Sequence, residues 1–496
     1  MFDVMPNSKS NSNSNRKMRG FKRWMKHQGI ECSDALLLIH SIDSVSVKAL
    51  CDLHESDVVA TIPKHSCLTV KTSAANHIIE EAQLGGYLGL AVALMYEKSL
   101  GPQSKWFQYL QLLPISEPIP LLWSIAQIDS LLVGTELHKI IKEDKALVYQ
   151  DWKECIRPLL DSDSFKLNPD FFGVDEYFAA KSLIASRSFQ IDEYHGTGMV
   201  PLADLFNHKT AAEDVHFTSV SSTSETDTDD ENDGDDEIIN PDSNSEMGSL
   251  DGRSDLEVSS TSADEPTFME MIIIKDVKAG AEVFNTYGSL GNAALLHRYG
   301  FTEPDNPFDI LNIDLEIVVQ WSLSSFSCRQ SRRRLTFWRK LNYSGCVSQN
   351  SEYFEISLDG EPQIELLILL HIILLPEDEY EELDVALTAT GELNEKKSFL
   401  YTKDTELSKK LLLTQKVGEA LLSLADIREG LYGRNSLEDD MRMFNECCCE
   451  TNRELYHSLL LRISERRIIE KLRAYVCSEA GILRTGKNTR TRKRVD

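Results

Sequence analysis

The sequence predicts an α+β chain, with short strands and helices mixed in its first part and an all-helical lobe from about residue 320 onward. Two observations predict it. Strand-like runs such as Val58 to Pro63 and Phe268 to Lys275 are short, and stretches of helical spacing such as Gly89 to Ser99 interleave with them. Beyond Trp321 the strand signals thin out, and long amphipathic segments, Thr414 to Glu429 and Ser436 to Cys477, take over. The 496 residues, 42% hydrophobic and 26% charged, are ordinary globular material and suffice for roughly two or three domains.

Taken in order, Met1 to Lys17 is rich in Asn and Ser and lacks the apolar core of a secretory signal. Residues 1–19 are therefore expected to be disordered, and the protein to reside in the nucleus or the cytoplasm. Val58 to Pro63 and Ser66 to Val70 read as strands, while Gly89 to Ser99, Ile128 to Trp152 and Asp175 to Ser188 carry helical spacing. Between Thr218 and Pro266 sixteen Asp/Glu stand against Arg253 alone, among Ser and Thr with almost no apolar residue. Such a segment cannot bury enough surface to offset the entropy of ordering, so residues 218–266 are expected to form a disordered acidic loop. It reads either as a solvated insertion or as a tether for lysine-rich substrates. Without it the formal charge falls from −27 to −12, that of a mildly acidic protein.

Phe268 to Lys275 and Glu282 to Thr286 read as two strands joined by a polar turn containing Gly280. Ile364 to Leu375 is the longest apolar stretch, and it is interrupted by Glu365 and His371. It is too short for a hydrocarbon layer about 30 Å thick, so a buried helix is expected. Ten cysteines show no CxxC pair and no His partner at zinc spacing, which points to reduced thiols and no structural metal. The run Cys447-Cys448-Cys449 is expected to pack in a helix. Residues 484–496 hold six Lys/Arg and read as a nuclear-import patch or a solubilising tail. The expected organisation is thus a disordered stretch 1–19, a mixed domain 20–308 with a helical insert at about 88–195, a helical domain 309–481 and a basic tail 482–496. Neither a phosphate-cradling loop nor a dinucleotide fingerprint is present, and there is no internal repeat.

Three stretches combine polar, aromatic and glycine residues in ways that strands and helices alone do not need. They are Ser186-Arg187-Ser188-Phe189 at a helix end, Val200 to His208 (V-P-L-A-D-L-F-N-H) and Phe284 to Phe301 (F-N-T-Y-G-S-L-G-N-A-A-L-L-H-R-Y-G-F). Singly, an Asn-His pair is a helix cap and a Tyr-Gly pair a turn. Together, and in this order, they resemble the SET-domain family, in the branch of the Rubisco large-subunit methyltransferase and the ribosomal-protein lysine methyltransferases. The resemblance extends to V-V-A-T-I-P-K (58–64), L-G-L-A-V-A-L-M-Y-E (88–97), W-F-Q-Y-L-Q-L-L-P (106–114) and the helical lobe, and so covers about residues 20 to 480.

The resemblance implies a SET-domain β-fold of short sheets with a helical insert, an all-α substrate-binding lobe and S-adenosyl-L-methionine as cofactor. Carried onto this sequence, it places Asp43, Ser44 and Val45 at the cofactor, Arg187 on its carboxylate, Asn207 and His208 on its amino-acid and adenine parts, and Phe301 on its adenine. It implies a lysine channel of Phe189, Tyr287 and Tyr299, with the Ser186 carbonyl and Asp204 as supporting polar groups. Tyr287 is the expected catalytic residue and also borders the cofactor, while Trp106 is a candidate for touching the substrate peptide. Where the family has a glycine-rich turn this chain reads Asp43-Ser44-Val45-Ser46-Val47-Lys48-Ala49.

The implied reaction is methyl transfer to lysine of a non-histone protein, ribosomal or otherwise basic, by a monomer that needs no metal and no membrane and has no direct contact with nucleic acid. Two other readings stay open. One is methylation of histidine, which a relative in the branch performs on actin with an asparagine in the place of Phe189. The other is a catalytically weak adaptor that binds partners through the acidic loop and the helical lobe.

Overall fold

The computed structural model describes residues 8–40, 45–162, 164–219, 267–340, 353–390 and 405–479. The acidic loop from residue 220 to 266, the basic tail, and Asp43 and Ser44 lie outside the described residues. The chain divides into two compact units, one of Met1–Trp123, Ile141–Leu290 and His297–Gly300, the other of Ser124–Ile140, Gly291–Leu296 and Phe301–Asp496.

Three small antiparallel sheets organise the first unit. β1 (Glu31–Cys32), β4 (Val58–Pro63), β9 (Phe268–Ile273) and β8 (Val215–Ser219) form the first, in the order β1-β4-β9-β8. β5 (Leu68–Thr69), β7 (Gly196–Met199) and β6 (Ser188–Asp192) form the second, and β2 (Leu36–His40) pairs with β3 (Val45–Ala49). Alternation decides which face is buried: Met269, Met271 and Ile273 point inward from β9, every second residue of a pleated strand. Glycine lets the second sheet close, because a Cβ on Gly198 would stand 2.6 Å from the Thr69 methyl and 2.8 Å from Ile191.

Here the structure corrects the reading of Glu282 to Thr286 as a strand following Phe268 to Lys275 across a polar turn, for it forms only isolated bridges, Glu282 with Lys48 and Asn285 with His208 and Val215. Both edges of β9 are already taken, by β4 and β8, so the later segment runs along β3 instead. Ala49 N–H donates to the Ala281 carbonyl at 2.9 Å and Val283 N–H to the Val47 carbonyl at 2.8 Å.

The N-terminus is a second correction. Ser8–His27 is a helix rather than disordered chain, and Met18, Phe21, Trp24 and Met25 are buried along one of its faces. The Trp24 indole donates to the Lys105 carbonyl at 2.7 Å, and its ring lies 6.4 Å from that of Tyr109. The Asn/Ser-rich composition hid an apolar stripe at helical spacing.

Gly86–Leu100 is a helix whose residues Leu90 to Met95 are all buried, and it stops at Gly101, which adopts φ 52°. The expected helix Ile128 to Trp152 is two helices, Ile125–Leu131 and Leu137–Asp151. Gly134 breaks it: φ is 80°, and a Cβ there would come 2.6 Å from the Tyr432 backbone. Leu137–Asp151 then runs through a wide π-type turn, Trp152–Ile156, into Arg157–Asp161. Pro158 has no amide hydrogen to continue the α ladder at that point.

Residues 124–140 belong to the second unit, not to the helical insert of the first. Arg462 donates to the Val133 carbonyl at 2.9 Å, and Arg428 to that of Gly134. Within the second unit, β10 (Leu311–Asp314) pairs with β11 (Tyr353–Ile356), and the rest of its described elements are helices. The apolar stretch Ile364–Leu374 is indeed a buried helix at the centre of that core. Buried Asp440 binds Arg462 at 3.1 Å and Arg466 at 2.7 Å, so neither guanidinium is left uncompensated. Cys447 to Cys449 lie between the helices Leu437–Glu446 and Arg453–Glu479, not inside one. Cys447 turns extended, with φ −87° and ψ 135°, and ends the first of them.

Candidate active site

The site of the first unit forms where three backbone segments meet. Residues 281–287 run along β3 on one side and along 207–215 on the other, where Asn285 N–H donates to the Asn207 carbonyl and Asp214 N–H to that of Phe284, each at 2.9 Å. Asn207 ties the three together, since its side-chain amide donates to the Val45 carbonyl at 3.1 Å and to Glu282 at 2.7 Å. The turn Ala203–Leu205 leads into it from Leu202, whose φ of 81° is unusual for a branched residue. Such strain persists only where the surroundings enforce it.

His208 is held on two sides. Its Nδ1 accepts the Tyr287 N–H at 3.0 Å, so the proton of a neutral ring sits on Nε2, which faces Thr210 Oγ1 at 3.2 Å. Its ring stacks on Tyr287 at 4.9 Å, and Tyr287 stacks on Tyr299 at 4.4 Å. The Tyr287 hydroxyl donates to the Phe206 carbonyl at 3.2 Å. Burial raises both phenols above the ordinary tyrosine range, so each remains a neutral O–H near pH 7. Gly300 holds the end of this segment, with φ 74° and room for no Cβ, since one would lie 2.7 Å from the Pro118 carbonyl oxygen.

Arg187 ends the helix Val174–Arg187 and is clamped from two directions. Its Nε donates to Glu117 at 2.6 Å and its Nη1 to the Asp204 carbonyl at 3.0 Å. The Asp204 carboxylate lies 3.7 Å from the same guanidinium and accepts the Tyr109 hydroxyl at 2.7 Å. Burial pushes the Asp204 carboxyl up to about 6, outweighing Arg187 and Tyr109, which both favour its charged form. Its Oδ1 is buried without a hydrogen-bond partner among the described residues.

The structure therefore brings together Val45, Asn207, His208, Tyr287 and Tyr299, and beside Phe206 it joins Arg187 to Asp204. Ser186 sits half-buried in the last turn of the helix before Arg187. Phe189 lies in β6, with its ring 5.3 Å from Phe217. Phe301 begins a segment of the second unit, and Asp43 and Ser44 lie outside the described residues. Trp106 is corrected: it is 1% exposed and its indole donates to the Ser66 carbonyl at 2.8 Å, so it belongs to the core and has no face for a peptide.

Sequence reasoning missed Tyr109, Glu117 and Glu282. Tyr109 stood in a quoted motif, but its partner Asp204 is 95 positions away, and no local pattern marks such a pair. The polar groups suit a zwitterionic, cationic cofactor. Arg187 offers its Nη2 edge, which has no hydrogen bond among the described residues, to a carboxylate, and the unpartnered Asp204 oxygen is an acceptor beside it. Among the described residues no group of three His, Cys, Asp or Glu is placed to hold a metal ion.

No family model matches the chain. Among curated proteins it is similar to the N-lysine methyltransferase setd6 of Xenopus tropicalis, 22% identical over 91% of this chain and 93% of that protein. It is also similar to the ribosomal lysine N-methyltransferase 3 of Saccharomyces cerevisiae, 27% identical over 55% of this chain and 59% of that protein. Among solved structures, the SET domain of LSMT bound to lysine and AdoHcy aligns with a TM-score of 0.63 at 18% identity, over 94% of this chain and 91% of that one. Rubisco LSMT bound to AdoMet aligns with a TM-score of 0.61 at 19% identity, over 94% and 92%.

Proposed function

We propose that this chain, which has the SET-domain fold, is a methyltransferase that moves a methyl group from S-adenosylmethionine onto the side-chain amine of a lysine in another protein. The observation that carries this reading is the stack of His208, Tyr287 and Tyr299, built onto the backbone junction that Asn207 ties to β3. The cofactor supplies an electrophilic methyl group on a sulfonium sulfur. To this chain's residues we assign its binding: Arg187 to the carboxylate, Asn207, His208, Asp43, Ser44 and Val45 to the amino-acid and adenosyl parts, and Phe301 to the adenine.

The acceptor must arrive as a neutral amine. For a lysine of pKa about 10.4 at pH 7, losing the proton costs about 4.6 kcal/mol. Buried rings lower that cost by disfavouring the ammonium, and the stacked, neutral Tyr287 and Tyr299 are such rings. The Tyr287 hydroxyl, held at the Phe206 carbonyl, aims the lone pair, and Asp204, whose Oδ1 is buried without a partner among the described residues, is the supporting polar group. An aromatic at Phe189 suits the aliphatic stem of lysine better than an imidazole.

We assign the substrate to the basic non-histone proteins and take ribosomal proteins as the first class to test, from the name of the yeast relative. The chain would act as a monomer in the nucleus or the cytoplasm. The purified protein is incubated with methyl-labelled S-adenosylmethionine and cell extract, and with peptides carrying only lysine or only histidine, and the label is located by mass spectrometry. Label on lysine supports the reading. Label on histidine alone replaces the acceptor, and no label together with no rise in melting temperature on adding cofactor leaves an adaptor.

A further inference from the structure

In a chain of formal charge −27, the helix Ser8–His27 carries no acidic residue at all. Its Arg16, Arg19, Lys22, Arg23 and Lys26 are all exposed, and at spacings of three and four they line one face. None of the five forms an ion pair among the described residues. The helix does not hang free: Trp24 stacks on Tyr109 at 6.4 Å, Lys17 donates to the Gln111 carbonyl at 2.9 Å, and Gly20 makes room for Gln108, which a Cβ would meet at 2.3 Å. A fixed row of cations results, spanning about 15 Å from Arg16 to Lys26 at about 1.5 Å per residue.

We propose that this face binds the phosphate backbone of nucleic acid, against the expectation stated with the family resemblance that the chain makes no such contact. Charge complementarity supplies the attraction, and about 15 Å covers four to five phosphates of one strand at a rise of roughly 3.4 Å each along the duplex axis. The apolar face that an interfacial membrane helix would insert is already spent, because Phe21, Trp24 and Met25 are buried in the protein. Peptide docking surfaces carry apolar or aromatic anchors among their charges, and no exposed apolar residue interrupts this row between Arg16 and Lys26. The contact is with backbone rather than bases, and it does not depend on the reading of the active site.

The test measures binding of the full chain to a fluorescent single-stranded RNA, a DNA duplex of equal length and a polyglutamate peptide, each between 50 and 200 mM salt. We expect nucleic acid to bind with log K falling against log salt at a slope of about −3, and the triple variant R19Q/K22Q/K26Q to lose about 2 of that slope, at roughly 0.7 per phosphate. The melting temperature of that variant should match the parent's, which shows that it is folded. The preference between RNA and duplex identifies the natural source of the phosphates. Unchanged binding in the triple variant, which would place the contact in another basic segment such as residues 484–494, overturns the proposal. So does polyglutamate binding as tightly as RNA, or no binding of nucleic acid at low salt.

Discussion

At the scale of single residues, the reading concentrates on two oxygen atoms. The Tyr287 hydroxyl makes one hydrogen bond, to Phe206, while the ring is held separately between His208 and Tyr299. Tyr287→Phe keeps the stack and removes the donor, so turnover should fall by about 10²-fold, the size of a misalignment loss, with cofactor affinity much less affected. Steady-state kinetics beside calorimetry of cofactor binding separates the two, and equal losses would speak against an aiming role. The Asp204 carboxyl, raised by burial from the ordinary 3.8 to about 6, links the site to pH. Because the folded state holds that proton more tightly than the unfolded chain does, the stability it contributes is present below pH 4 and lost as pH rises through about 6. Asp204→Asn abolishes the titration. Its stability relative to the parent should therefore improve by on the order of 3 kcal/mol between pH 4 and 7, read from denaturant unfolding at each pH, whereas parallel curves would refute the assignment.

At the scale of elements, position is enforced by backbone that tolerates no extra atom. Gly300 follows Tyr299 directly, and its left-handed conformation brings it against the Pro118 carbonyl. Gly300→Ala should lower stability by about 1–3 kcal/mol, the usual range for such strain. It should also lower turnover, because Tyr299 has to move with it. A variant with the parent's melting temperature and rate would show that the close approach is not maintained in solution. The elements themselves were largely legible: Val58–Pro63, Phe268–Ile273, Gly86–Leu100 and Val174–Arg187 announce themselves by period and length. What stayed open was pairing. Nothing in Glu282 to Thr286 says that β9 has no free edge, and nothing in Ile128 to Trp152 says that Gly134 must pass the Tyr432 backbone.

For the molecule as a whole, charge is unevenly distributed, with sixteen Asp/Glu between Thr218 and Pro266 and an uninterrupted basic face on the first helix. β8 and β9, which flank that acidic segment, are antiparallel neighbours with Ser219 opposite Met269, so a short turn can join them. Replacing residues 222–264 by such a turn should leave unfolding and turnover on a short peptide within roughly twofold, since loop length costs stability only slowly. If the segment is a tether, the KM for a lysine-rich protein should rise and lose much of its salt dependence; an unchanged KM leaves it a tolerated insertion. The sequence by itself determined the fold class, because period and local turn chemistry act between near neighbours, and its likeness to the SET-domain branch singled out Arg187 at a helix end, Asn207-His208 and Tyr287 for the proposed site. Only the tertiary structure decided that Trp106 is core, that Tyr109 and Glu117 brace Asp204 and Arg187, that residues 124–140 belong to the second unit, and that the Asn/Ser-rich start is a docked helix. Each of these depends on which distant surface is free to be covered, and that is settled by packing among segments many residues apart.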